Sequence, residues 1–214
     1  MGASLALLLK GAAVTASVSA AAIALGVPLG LALALIRWRR VPLLSQVTAA
    51  YVSLIRATPA ITLALLIFFA LPTFGIALDP TTAAVLTLTI NTSAFNCEIW
   101  RSALIDFSRD QLDAAAAFGM RPGVAFRRII FPQIWRTSLP ALVNEMTLLV
   151  KASPALAVIG IVDLTRAASR IGAATYKPLP PFIAATVLYV ALVLVLVAVQ
   201  RLVEARVKRR LQAA

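Results

Sequence analysis

From Gly11 to Ile36 the chain runs without one charged side chain, and it then meets the cluster Arg37-Trp38-Arg39-Arg40. About 20 consecutive apolar residues cross the hydrocarbon of a bilayer as a helix. The rival reading is a secretory leader, but the run is too long for a leader's apolar core and its charge cluster follows rather than precedes it. The spacing therefore predicts a retained membrane helix over 11–36 with a basic inner end.

The rest of the chain repeats this constraint. It is 61% hydrophobic and only 13% charged, against about 25% charged in an ordinary soluble domain. Much of its surface must face lipid. The net charge of +12 does not indicate nucleic acid, because the basic residues flank apolar runs and no DNA- or RNA-binding motif is present.

Four further spans are expected, over about 58–71, 81–105, 129–150 and 182–203. The second is preceded by a helical approach and interrupted at Arg56-Ala57-Thr58-Pro59, where proline removes a helix hydrogen bond. The segment from Ala152 to Pro181 mixes apolar, basic, glycine and proline residues, and is expected on the outer face, partly re-entering the membrane. The fold class is thus an all-α integral membrane protein with five transmembrane helices in one domain, 1–214. Five crossings put the ends on opposite sides. The arginine-rich segments fall on the cytoplasmic side if the N-terminus is outside and the C-terminus, with Arg206-Val207-Lys208-Arg209-Arg210, is inside.

Histidine is absent and Cys97 is the sole cysteine. That excludes a histidine-based triad, a disulfide framework and a histidine-ligated metal or haem within the chain. Cys97, in an apolar run, reads as a small packing residue. No phosphate-binding Gly-x-x-x-x-Gly-Lys string occurs, so any ATP and magnesium must be held by another subunit.

Polar residues inside the spans are the candidates for a substrate path. In the third span Thr87, Asn91 and Glu98 share one helical face, and Thr89, Thr92 and Asn96 lie on a neighbouring stripe. Such groups either bond neighbouring helices or line water. Glu98 either pairs with Arg101, three residues on, or serves the path. In the fourth span Asn144 and Glu145 fall at mid-depth. Glu145 has no basic residue one turn away, so its partner is another helix or a substrate. Thr58-Pro59 and Pro140 supply breaks of the kind found around midplane sites in carriers.

The connection between the third and fourth spans, about 106–128, is polar and is expected in the cytoplasm. Ser108 and Gln111 are spaced as a capping box, a helix follows to Phe118, and Gly119 sits where a left-handed residue ends a helix. Pro122-Gly123 makes a turn. Ala114 to Ala117 form a smooth wall that a partner can approach. The competing readings are an ordinary inner loop and a docking element.

The string Asp113-Ala114-Ala115, then Gly119, then Ile129, Phe131 and Pro132 resembles the EAA loop of ABC-importer permeases, with Asp in place of Glu and Phe in place of Leu. Arg56-Ala57-Thr58-Pro59 and the stretch from Ala94 to Arg101 are similar to the polar-amino-acid branch of that family. Val158 to Leu164 also fits, while Lys151-Ala152-Ser153-Pro154-Ala155 departs from its pattern. The resemblance implies a permease of the bacterial cytoplasmic (inner) membrane without its own ATPase site. It pairs with a second permease subunit, identical or sister, docks on an ABC ATPase dimer that holds ATP and magnesium, and receives an amino acid from an extracytoplasmic binding protein. ATPase coupling is assigned to Asp113, Ala114, Ala115, Gly119, Pro122 and Arg127. The substrate path is assigned to Thr58, Thr87, Asn91, Glu98, Asn144 and Glu145. The alternative is a non-transporting scaffold that recruits a soluble partner.

Overall fold

The computed structural model describes residues 2–212 as helices and short connections. The side chains of the basic tail at Arg206, Lys208, Arg209 and Arg210 lie outside the described residues. The helices are α1 (Gly2–Trp38), α2 (Leu44–Ala57), α3 (Ala60–Ala70), α4 (Pro80–Ile105), α5 (Arg109–Ala117), α6 (Pro122–Ala125), α7 (Phe131–Ala152), α8 (Leu164–Thr175) and α9 (Leu179–Gln212). Short 3-10 turns follow α3 and α7, and one wide π turn, Phe126–Ile130, leads into α7.

Helix starts follow local chemistry. Asp79 accepts bonds from the Thr81 and Thr82 amides ahead of α4, with Pro80 at the first helical position. Asp163 does the same for Thr165 and Arg166 at α8, and is also bonded by the Tyr189 hydroxyl at 3.0 Å.

Among the described residues, three helical stretches are long and apolar enough to cross a membrane: Ser4–Trp38, Pro122–Ile159 and Leu179–Leu202. A fourth candidate is the pair α2 and α3, bent by 110° at Thr58-Pro59. Alone, Ala60–Phe74 rises about 22 Å, short of a hydrocarbon core of about 30 Å, so the expected second span needs α2 as well.

α4 is long enough, at about 39 Å, but too polar to be recognised by its apolarity. It does not need lipid. It sits at the centre of the bundle, against α1, α2, α3 and α7. Its Thr87, Thr92, Ser93 and Asn96 are fully buried, as is nearly all of Trp100. Trp100 stacks on Trp135 of α7 at 5.8 Å and donates its indole N–H to the Val27 carbonyl of α1.

α1 packs closely on α4. A Cβ added to Gly26 would lie 2.2 Å from the Thr92 methyl, and one added to Gly30 would lie 2.7 Å from the Asn96 Cβ. Two glycines four apart let helix backbones meet.

Pro140 does not break α7, which is continuous from Phe131 to Ala152. Proline removes one backbone bond, and here it lies exposed on the helix surface. The irregularity falls upstream, in the π turn.

α8 and α5 mark opposite ends of the bundle. α8 packs on the N-terminal part of α1, where the Leu164 amide bonds Thr15 and Gly11 meets the Asp163 carbonyl. α5 lies near the C-terminal end of α1, where Leu112, Ala115 and Trp38 border one crevice.

Candidate functional site

The α5 segment forms a largely exposed tip at one end of the bundle. Ser108 precedes the helix in extended conformation but makes no side-chain cap bond. The expected capping box is not formed, because Gln111 turns away to accept a bond from the Gln133 amide of α7 at 2.7 Å. That bond ties the base of the tip to the membrane helix. The far end closes as the sequence predicts. Gly119 takes φ +68°, its amide bonds the Ala116 carbonyl, and the Met120 amide bonds the Ala115 carbonyl. This is the paired bonding of a Schellman cap.

Ala115 is buried, whereas Ala114, Ala116 and Ala117 are exposed. Phe118, at the cap, is 87% exposed. Asp113, Arg121, Pro122 and Arg127 are also exposed. Asp113 makes no ion pair among the described residues. A small-residue wall, a bare aromatic ring and one free carboxylate therefore share the tip. The ring is the member that the motif did not single out.

Glu98 is ion-paired on both oxygens. Arg37 of α1 and Arg101 of α4 both hold its carboxylate. Arg37 takes Oε1, while Arg101 places Nε and Nη2 at 2.9 and 2.6 Å from Oε2. The Arg101 partnership was visible in the sequence; the Arg37 one, 61 residues away, was not.

The remaining path candidates do not converge. Thr87 is buried and returns its hydroxyl to the Ala83 carbonyl at 2.7 Å. Thr58 does likewise with the Leu54 carbonyl at 2.8 Å. Asn91 is half-buried, and Asn144 is exposed on α7. Glu145 is buried, and the charge acting on it is that of Arg56. The Arg56 guanidinium also lies 5.3 Å from the centre of the Phe95 ring. A cleft of about 700 Å³ between the end of α4 and α7 is bordered by Glu98, Ser102, Gln133 and Ser138, but by none of the other path candidates.

Residues 26–209 match the family of binding-protein-dependent transport system inner membrane components. The chain belongs to that family. Within it, this permease component is 36% identical over 159 residues to the arginine transport system permease protein ArtQ of Bacillus subtilis, covering 74% of this chain and 73% of that one. It is 32% identical over 207 residues to the glutamine transport system permease protein GlnP of Escherichia coli K12, covering 96% and 94%. Among solved structures it is similar to an amino acid ABC transporter crystallised with histidines, with 34% identity, a TM-score of 0.84 and 94% of both chains covered. An inward-facing methionine transporter, MetNI, at 21% identity and a TM-score of 0.78, shares the fold. The permease component is thus a membrane transport subunit of the ABC-importer type and not itself an enzyme.

Proposed function

We propose that the chain is one of two permease subunits that form the path for a polar or charged amino acid, driven by an ATPase docked on α5. The observation that carries this reading is the α5 tip, with Gly119 in the left-handed turn, a wall of exposed alanines and Phe118 bare to its surroundings. A rigid helix tied back to α7 through Gln111 and Gln133 can transmit a partner's movement to the membrane bundle. Such a contact drives transport only if it favours one state over the other.

On this reading α1, the bent pair α2–α3, α4, α7 and α9 make five crossings of the inner membrane. The α5 end, with its arginines, faces the cytoplasm, and the α8 end faces the extracytoplasmic binding protein. ATP and magnesium belong to the ATPase dimer. Asp113, Ala114, Gly119, Pro122 and Arg127 form the coupling surface, with buried Ala115 seating the helix behind it. Asn144 and Glu145, with Thr58 and Asn91 as further candidates, serve the path, and Glu98 holds α1 to α4. The names of the similar permeases, for arginine and glutamine, support an amino acid as cargo.

The test is reconstitution of this chain with the ATPase and binding protein from its own operon in liposomes. ATP-dependent uptake of a labelled amino acid is the expected result. An ATPase that neither associates with this chain nor responds to loaded binding protein overturns the reading in favour of a scaffold.

A further inference from the structure

A second cleft, of about 590 Å³, opens where α1, α2, α4 and α5 meet, and four arginines border it: Arg37, Arg40, Arg101 and Arg109. Among the described residues, the only acid paired with them is Glu98, shared by Arg37 and Arg101. Arg40 and Arg109 make no ion pair among the described residues, so the cleft keeps a surplus of positive charge. Ser45 and Gln46 add neutral hydrogen-bonding groups to its wall.

Three observations place this charge at headgroup depth. The uncharged run of α1 ends at Ile36, immediately before the cleft. Trp38, a residue type favoured at the membrane boundary, borders it. The turn leading into α2 also carries Leu43, 74% exposed, and on α2 Leu44 and Val47 are exposed in turn. Guanidinium forks match phosphate oxygens, and bare leucines beside them suit an acyl chain. A fitting occupant is therefore both anionic and amphiphilic.

The turn that presents Arg40 is held in an unusual backbone. Arg40 has φ +51° and Leu43 φ +61°, and neither is glycine. A β-carbon disfavours that region, and such residues gather where a site needs a particular presentation.

We propose that this cleft binds the phosphate headgroup of an anionic phospholipid of the membrane leaflet on the α5 side. The lipid completes the charge balance of Arg40 and Arg109 and bridges α1, α2 and the base of α5.

The test uses the full-length protein with the subunits that co-purify with it, in nanodiscs of phosphatidylcholine containing phosphatidylglycerol, with retained lipids counted by native mass spectrometry. Phosphatidylglycerol is expected to be retained in preference to phosphatidylcholine. Arg40→Gln and Arg109→Gln each lower that preference by about fivefold, the effect of one basic residue near an anionic surface. The paired Arg40→Lys and Arg109→Lys substitutions keep most of it. Arg170→Gln, at an exposed position of α8 at the other end, leaves it unchanged. Equal retention of both lipids, or full retention by the paired glutamine variant, overturns the proposal. So does displacement of the lipid by inorganic phosphate at matched concentration, which marks a site for soluble anions. Loss of the ATPase from the glutamine variant with lipid retention unchanged also overturns it, and assigns the cleft to a protein partner.

Discussion

Arg37, the first charged residue after the long apolar run of α1, reaches across to the carboxylate of Glu98 on α4, while Arg101 holds the other oxygen of the same group. The side chains of Arg37 and Glu98 are 19% and 21% exposed, so solvent screens the pair only in part. α1 and α4, which approach closely at Gly26 and Gly30, are thus pinned by charge at one end.

Removing the acid strands two guanidinium groups. Glu98→Gln is expected to lower the thermal unfolding temperature of the detergent-solubilised complex, and a double-mutant cycle with Arg37→Gln should give a coupling of about 1–3 kcal/mol. A coupling near zero, with transport lost and thermal stability unchanged, would return Glu98 to the substrate path.

Gly26 is intolerant of any β-carbon. Gly26→Ala puts a methyl against the Thr92 Cγ2 at 2.2 Å, and overpacking of this kind costs about 1–3 kcal/mol. Thr92→Ser removes the opposing methyl, so the pair Gly26→Ala with Thr92→Ser should recover most of the lost stability. Unfolding temperatures of the single and paired variants decide it.

Gly119 is intolerant for a different reason. No atom lies within 4 Å of its missing β-carbon, but its φ is +68°. Gly119→Val should abolish transport and stimulated ATPase activity with the subunit still in the membrane, because the left-handed region costs an ordinary residue about 1–2 kcal/mol, and a branched one more. Gly119→Asn should keep much of the activity. Equal loss in both variants would point to side-chain exclusion by the partner rather than backbone conformation.

Asn144 is exposed at mid-helix, beside buried Glu145. An exposed amide at that depth suits a water-lined path or a facing subunit rather than lipid. Asn144→Cys should form a cross-link between permease subunits with a short bifunctional reagent, against a background of one buried cysteine, Cys97. Glu145→Gln should reduce uptake several-fold at unchanged complex yield. Loss of yield in step with uptake would make the role of buried Glu145 structural.

What could be read from the sequence was what short stretches of chain decide alone. The glycine turn at Gly119, the break at Thr58-Pro59 and the extent of α4 to Ile105 depend on neighbours within a few residues, and the structure has them. Partnerships across the bundle were not readable. Nothing near Glu98 announces Arg37, because helix packing brings them together. The spacing of Gly26 and Gly30 is the one local sign in the sequence of where α1 meets α4. Gln111 shows the opposite failure: a valid local capping pattern lost to a longer-range bond with Gln133.

The burial of the polar groups of α4 has a consequence for how the protein is made. A segment carrying Thr87, Thr89, Thr92, Asn96 and Glu98 gains little by leaving the insertion machinery for bare lipid. The surface that welcomes it is α1, synthesised earlier, with Gly26 and Gly30 ready for its backbone and Arg37 for its carboxylate. On the five-crossing reading, entry of α4 into the bilayer is expected to coincide with its docking onto α1, which keeps α1 within reach until about residue 105 has emerged.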